Sequence, residues 1–391
     1  MSETKRILAV DVGTGTQDVL LFESGGSIEN CVEMIMPSPT VIIQRRILRA
    51  TEQRRPVLMT GRTMGGGPCA WAARDHAQAG FPCYATPDAA RTLDDDLSMV
   101  EAIGLRIVDE AQARRIRERE GKRLVEVTMC DFDAEALQRA FAAFDVDPRV
   151  DAVAVAAFDH GAAPPGVSDR RFRFDAIAAR VRERPDPLAF AWRAADLPAD
   201  LTRLAAVAAD AARYPMTAAD HAPVLVMDTG AAALAGALED PLVRRRDEAL
   251  VVNLGNFHTL AFHLRGGRIV SLFEHHTGEL DRPQLEGYLR DLVAGTLTNE
   301  RVFAESGHGA LTLESPDASN VAPSETMPFL AVTGPRRELL RGSALDPYEP
   351  APHGSMMLAG CYGLLRAVAV LEPAFAPAIA ASLDAAGELG R

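Results

Sequence analysis

VLVMDTGAAALAGALED (224–240) and, after a charged connector, ALVVNLGNFHTLAFHLRGGRIVSLFEHHTG (249–278) decide how this chain folds. Residues 224–227 are an apolar, β-prone run that delivers Asp228 and Thr229 to a strand end. Gly230 and the alanines after it then open a helix, because Ala has the best helix propensity and Asp or Thr supplies the cap. Residues 250–254 read as a second buried strand that breaks at Gly255-Asn256, and 259–264 alternates back as a third. Gly266-Gly267 signals a hairpin into a fourth strand, 268–273. A strand, a glycine turn lined with hydroxyl and amide groups, and a returning strand therefore follow an acidic strand end. Such a turn suits an anion, since glycine lets backbone N–H groups approach without a Cβ in the way.

The amino terminus repeats the design. Residues 6–12 are an apolar strand with Asp11 near its end, Gly13-Thr14-Gly15-Thr16-Gln17-Asp18 turns the chain, and 19–22 returns it. Near the carboxyl end, 329–333 is a further strand running into Gly334-Pro335-Arg336-Arg337, and 354–370 reads as a strongly apolar helix. The expected fold is α/β, in two domains facing each other across a cleft. The first spans 1–240 and the second 241–391, with the last helix packing back between them.

These segments carry a resemblance. DVGTGTQDVLLFE (11–23) resembles the phosphate 1 motif of the sugar kinase, actin and heat-shock ATPase (ASKHA) superfamily. NLGNFHTLAFHL (253–264) is similar to its phosphate 2 motif, and LAVTGPRRELL (330–340) to its adenosine motif. MDTGAAALAGAL (227–238) is similar to the segment of the FGGY carbohydrate kinases that bears their catalytic aspartate. TGRTMGGGP (60–68), AAFDHGAAPPGVSDRRFRF (156–174) and FEHHTG (273–278) resemble a narrower ASKHA-like group once labelled pyruvate formate-lyase activating proteins. The resemblance implies two RNase H-like, actin-like ATPase domains around ATP and Mg²⁺. It implies Asp11 beside the metal, with Gly13, Thr14, Gly15, Thr16 and Gln17 on the phosphates. Asn253, Gly255, Asn256 and Thr259 would hold them from the other side, Gly334 would mark the adenosine end, and Asp228 would take the acceptor's proton. Two positions depart from the pattern. Asn253 stands where many members have an acidic residue, and Gly334-Pro335 replaces a glycine pair.

Composition sets bounds. At 391 residues there is room for two domains of ordinary size. Hydrophobic content of 48% with 24% charged residues is that of a soluble globular chain. A net charge of -13 argues against a nucleic-acid partner, which would call for a basic face. No signal-peptide pattern precedes the first strand, and the longest apolar helix is too short for a bilayer, so cytoplasm and no membrane partner are expected. Cys31, Cys69, Cys83, Cys130 and Cys361 are scattered singly and read as free thiols, with an iron–sulfur site shared between two subunits of a homodimer as the open alternative.

Between the repeats, strands are expected at 31–36, 56–60, 124–129 and 151–158, and helices at 40–50, 69–79, 97–103, 107–123, 134–144 and 200–214. Asp94-Asp95-Asp96 reads as a helix cap. Arg62 precedes Gly65-Gly66-Gly67 at a strand end, where it would meet an anion unless the glycines only make a tight crossover. The segment 162–175 reads as a polar loop whose Arg170, Arg171 and Arg173 would bind a substrate carboxylate or phosphate, or form salt bridges. Asp159 and His160 stand at the preceding strand end, and Glu274-His275-His276 ends another. Strand alternation sends His275 and His276 to opposite faces, so one of them, taken as His275, would contact substrate; a metal site with His160 and Asp159 is the rarer option. Residues 305–326 read as a loop. The leading function is an ATP-dependent phosphotransferase acting on a small metabolite. The alternatives are an ATPase that activates a partner metalloenzyme and a nucleotide-binding regulator without turnover.

Overall fold

The computed structural model describes residues 4–217, 222–314 and 327–385. Its first sheet opens as an antiparallel meander of Arg6–Val12, Thr16–Glu23 and Val32–Pro37. Ala152–Ala157 pairs in parallel with Arg6–Val12, Val224–Asp228 pairs in parallel with Ala152–Ala157, and Ala191–Arg193 closes the edge antiparallel. AVAVAA at 152–157 is buried throughout, as a strand covered on both faces must be.

The second sheet repeats this plan. Glu248–Leu254, His258–Arg265 and Arg268–His276 form the meander, Phe329–Thr333 is the parallel partner of the first, and Gly309–Thr312 extends the far edge. A three-stranded meander whose first strand also takes a parallel neighbour is the RNase H-like arrangement, and it occurs twice. The fold is thus α/β, as expected.

Two helices join the sheets. Thr229–Ala237 touches strands of the second sheet, Ala359–Leu371 touches strands of the first, and the two helices pack on each other. One apolar core runs through all four layers and includes Ala9, Phe22, Met227, Val251, Phe262 and Leu364. Each large side chain fully buried there contributes about 1.5–3 kcal/mol, so the cleft walls are held by a common core.

A third sheet, all parallel, lies between Val32–Pro37 and Ala152–Ala157 in sequence. It comprises Val57–Gly61, Cys83–Ala85, Arg106–Ile107 and Val125–Met129, with its own core around Ile47, Met59 and Val127. Asp96 caps Leu97–Ala102 by accepting from Ser98 N, as the acidic triplet suggests.

Two loop expectations are corrected. The arginine-bearing end of the 162–175 loop is the start of a helix, Asp169–Glu183. Within 305–326, Gly309–Thr312 is a strand, and 315–326 lies outside the described residues. Among the described residues no helix is long and apolar enough to cross a membrane.

Candidate functional site

The two glycine turns are built alike. Gly13 N donates to Thr16 O and Gly255 N to His258 O, both at 3.0 Å. Each bond closes a four-residue turn and leaves the next two amides, of Thr14 and Gly15 or of Asn256 and Phe257, without a protein acceptor among the described residues. In the first turn the carbonyls are tied away: Ser38 Oγ donates to Thr14 O at 2.5 Å and Ser38 N to Gly15 O at 3.1 Å. Successive free amides at one spot make an anion cradle. The turns also meet, since a Cβ on Gly15 would stand 2.9 Å from Asn256 Nδ2.

Between them lies a cavity of about 380 Å³, within the usual range for ligand sites. Asp11, Gly13, Thr14, Gly15 and Thr16 line it from the first sheet, and Asn253, Gly255, Asn256 and Gly334 from the second. Nine of the residues expected on a nucleotide therefore converge. Gln17 and Thr259 do not. Gln17 Nε2 donates to Pro37 O at 3.1 Å, and Thr259 is fully buried with its hydroxyl 3.0 Å from that of Thr277. Each has the alternation of its strand against it, one position away from the turn residues that face the cavity.

Asp11 brings a partner that sequence reading missed. Asp18 is its cross-strand neighbour and lines the same cavity. Burial pushes Asp11 up to about 8, with Asp18 adding repulsion and the Thr229 hydroxyl, 2.6 Å from Asp11 Oδ1, opposing it. Burial likewise raises Asp18 to about 7, and its Oδ1 is buried without a hydrogen-bond partner. The register of the first hairpin, with Asp on both sides of the turn, was the signal for this pair. A buried dicarboxylate with an unsatisfied oxygen fits a hard divalent cation such as Mg²⁺.

Asp228 sits beside this cavity and is fully engaged. Its Oδ1 accepts from Gly230 N at 2.9 Å and Ala231 N at 3.2 Å, capping the following helix, while Oδ2 accepts from Arg173 Nη2 at 2.9 Å. Arg173 also grips Glu274, with Nε 2.8 Å from Oε2 and Nη2 2.6 Å from Oε1, and donates from Nη1 to Asp159 O at 2.7 Å. Burial pulls the guanidinium pKa down, but the Asp228 and Glu274 carboxylates more than offset it and the net shift is upward. Arg173 thus ties the two sheets together across the cleft.

The other expected substrate residues scatter. Arg171 leaves the site because the helix turns it outward, over the Phe303 ring at 4.7 Å, whereas Arg173 points in. Arg62 pairs with Asp210 at 3.1 Å and lines none of the cavities described here. The triple glycine beside it packs against Arg203, Thr92 and Phe257, a close approach by protein. Asp159 is buried and raised by burial, countered by amides of Leu204 and Gly161 that donate to it at 2.8 Å each. His160 lies 3.6 Å from Asp95, whose carboxylate raises its pKa. Asp159 and His160 line a second, smaller cavity of about 120 Å³ with Arg173, Trp192, Leu204 and Asp228.

His275 is a core residue. It is fully buried, with Nδ1 2.9 Å from His276 O and Nε2 3.0 Å from Glu305 O. Its neighbour His276 stands opposite His258, which lines the cavity, because a bulge between His263 and Leu264 shifts the hairpin register by one. A one-residue slip exchanges the faces of a strand. Of the thiols, Cys69, Cys83 and Cys130 are raised by burial to about 11, 12 and 12, and all five cysteines are unpaired.

Two RNase H-like sheets facing across a cleft lined by paired glycine turns define a protein of the actin-like ATPase, or ASKHA, class. Within it, the chain belongs to the family described as "Putative pyruvate format-lyase activating enzyme (DUF1786)", whose model matches residues 64–339. The chain is similar to the ethanolamine utilization protein EutJ from Carboxydothermus hydrogenoformans, with 9% identity, 93% of this chain and 89% of that chain covered, and a TM-score of 0.32. It is also similar to a Ppx/GppA family member of Aquifex aeolicus (9% identity, 75% and 61% covered, TM-score 0.24) and to the ROK hexokinase from Thermus thermophilus (10% identity, 68% and 48% covered, TM-score 0.20). The strand order, rather than these likenesses, defines the fold. No curated protein sequence matches the chain.

Proposed function

We propose that this protein binds Mg-ATP in the cleft and transfers the terminal phosphoryl group to a small cytoplasmic metabolite. The observation that carries the reading is the pair of matching turns, whose four free amides border one cavity beside the Asp11–Asp18 pair. Phosphoryl transfer needs positioning and charge neutralisation more than covalent chemistry. Thr14, Gly15, Asn256 and Phe257 supply amide donors to the phosphate oxygens. Asp11 and Asp18 hold Mg²⁺, which neutralises the developing phosphate charge when bound. Thr333, Gly334, Met356 and Met357 line the same cavity and would take the nucleoside.

The smaller cavity supports the acceptor half of the reading. Its volume is close to that of an engineered cavity of about 150 Å³ that binds benzene, so it suits a ligand of about six heavy atoms. Asp228 and Arg173 form part of its wall, and Arg173 also lines the nucleotide cavity. In this reading Asp228 serves as the base for an acceptor hydroxyl. The engagement of both its oxygens favours a second reading, in which ATP is hydrolysed to drive a partner protein and Asp228 is only a cap and an ion-pair member. Incubation with labelled ATP and a metabolite extract separates them: a new phosphorylated metabolite supports the first, while turnover that responds to protein fractions alone overturns it.

A further inference from the structure

Three histidines outside the phosphate turns converge at one end of the second sheet. His258 opens one strand, His276 ends the next, and His308 immediately precedes the edge strand Gly309–Thr312. One ring nitrogen from each lies within 4.8 Å of the other two. The ring centroids are 5.1 Å apart for His258 and His276, 5.1 Å for His258 and His308, and 4.5 Å for His276 and His308.

Among the described residues none of the three side chains makes a hydrogen bond, and His308 Nδ1 is buried without a partner although His308 is only 4% exposed. An unmet buried imidazole nitrogen is destabilising unless something binds it. The placement of His308 is nevertheless enforced: a Cβ on Gly307 would collide with His275 and Val302, and one on Gly309 with Asn299 and Phe174. His258 is fixed too, stacked on Phe158 with centroids 3.9 Å apart and planes 15° from parallel.

We propose that His258, His276 and His308 form a binding site for a first-row divalent transition ion of the Zn²⁺ type. Three neutral imidazoles are a characteristic donor set for such ions, with a fourth position left to water or substrate. The geometry is within reach. Zn–N bonds of about 2.0–2.1 Å require nitrogens about 3.3 Å apart, and nitrogens as far apart as 4.8 Å come to that spacing by moving about 0.9 Å each toward their centre. The protonation state agrees: burial lowers His308 to about 2 and His258 well below its ordinary value, so their lone pairs are free. His276 is also lowered by burial. The charge around the rings is mixed: Arg173 acts on His258 and His308 and Arg170 on His276 and His308, while Glu274 and Glu279 act on His276. His258 lines the nucleotide cavity, so the fourth position opens on the cleft.

The ion is distinct from the Mg²⁺ proposed at Asp11 and Asp18, and its test needs no nucleotide. The full-length protein, stripped with a chelator, is titrated with Co²⁺ as a spectroscopic probe and then with Zn²⁺. The expected result is one equivalent of Co²⁺ with the intense visible bands of four- or five-coordination, displaced by Zn²⁺ and untouched by millimolar Mg²⁺. His276→Ala and His308→Ala each weaken binding by about a hundredfold or more, since losing even an outer-shell partner costs about 10–100-fold. His276→Gln, a milder change at a half-buried position, does the same with an unchanged circular dichroism spectrum, while His160→Ala binds like the wild type. Absence of stoichiometric Co²⁺, or binding indifferent to His276→Gln, overturns the proposal. Loss of binding in His160→Ala would move the site to Asp159 and His160 and overturn it equally.

Discussion

The two hairpins that face each other across the cleft share a backbone and differ in chemistry. Asp11-Val12-Gly13 and Asn253-Leu254-Gly255 occupy equivalent places, and both glycines close their turns with the same 3.0 Å bond. In the first hairpin Asp11 pairs across the strands with Asp18; in the second, Asn253 pairs with Leu260. Where the first turn ends on Thr16, the second ends on His258. The backbone common to both suits an anion, which needs only amides. The side chains that differ set a carboxylate pair on one side against imidazoles on the other.

The largest effect should come from cutting the tie between the halves. Arg173→Ala leaves Asp228 and Glu274 buried without their cation, and breaking a buried pair in this way costs about 3–5 kcal/mol. Urea unfolding should show a loss of that size, and a change under about 1 kcal/mol would mean that water replaces the guanidinium. Next, Gly15→Val and Gly255→Val test whether the turns are equivalent. Each should lower ATP affinity by about a hundredfold or more while the protein stays folded, because a Cβ at Gly15 would stand 2.9 Å from Asn256 Nδ2 and one at Gly255 2.7 Å from His258 O, so either side chain displaces the cradle amides. An effect from only one of them would show that a single hairpin holds the phosphates.

Asp228→Asn keeps the cap, since Asn caps about as well as Asp. If Asp228 is the base, turnover should fall by about a hundredfold at unchanged nucleotide affinity. Unchanged turnover would leave it as a cap and ion-pair member and favour the partner-coupled ATPase.

The smallest effect concerns pH and belongs to the first hairpin alone. Asp11 and Asp18 are raised to about 8 and about 7 when folded. Their contribution to the stability of the metal-free protein is therefore fully present below the ordinary carboxylate range and is lost as pH rises through about 7 to 8. Mg²⁺ competes with those protons, so it should raise the melting temperature more near about pH 8.5 than near about pH 6. Asp18→Asn should flatten that difference, and a Mg²⁺ effect independent of pH would place the ion elsewhere.

Much of this was legible in the sequence because it depends on local pattern. Apolar runs broken by glycine marked both hairpins, and motif order placed Asp11, Gly15, Asn253 and Gly334 in one cavity. What escaped depends on register and helix phase. The cross-strand position of Asp18 follows from counting back across the first turn, but His276 displaces His275 only because of a bulge that no residue type announces. The helix starting at Asp169 was hidden by the prolines and glycine before it, so nothing in the sequence separates Arg173, which enters the site, from Arg170 and Arg171. His308 lies far along the chain, and only the edge strand that follows it brings it to His258.

The central claim is that both turns close on one nucleotide. Calorimetric titration of the full chain with ATP in millimolar Mg²⁺ tests it most directly. The account predicts saturable heat with one site per chain that vanishes in Gly15→Val and Gly255→Val alike. No heat with ATP, ADP or GTP, or heat unaltered in both variants, would contradict it.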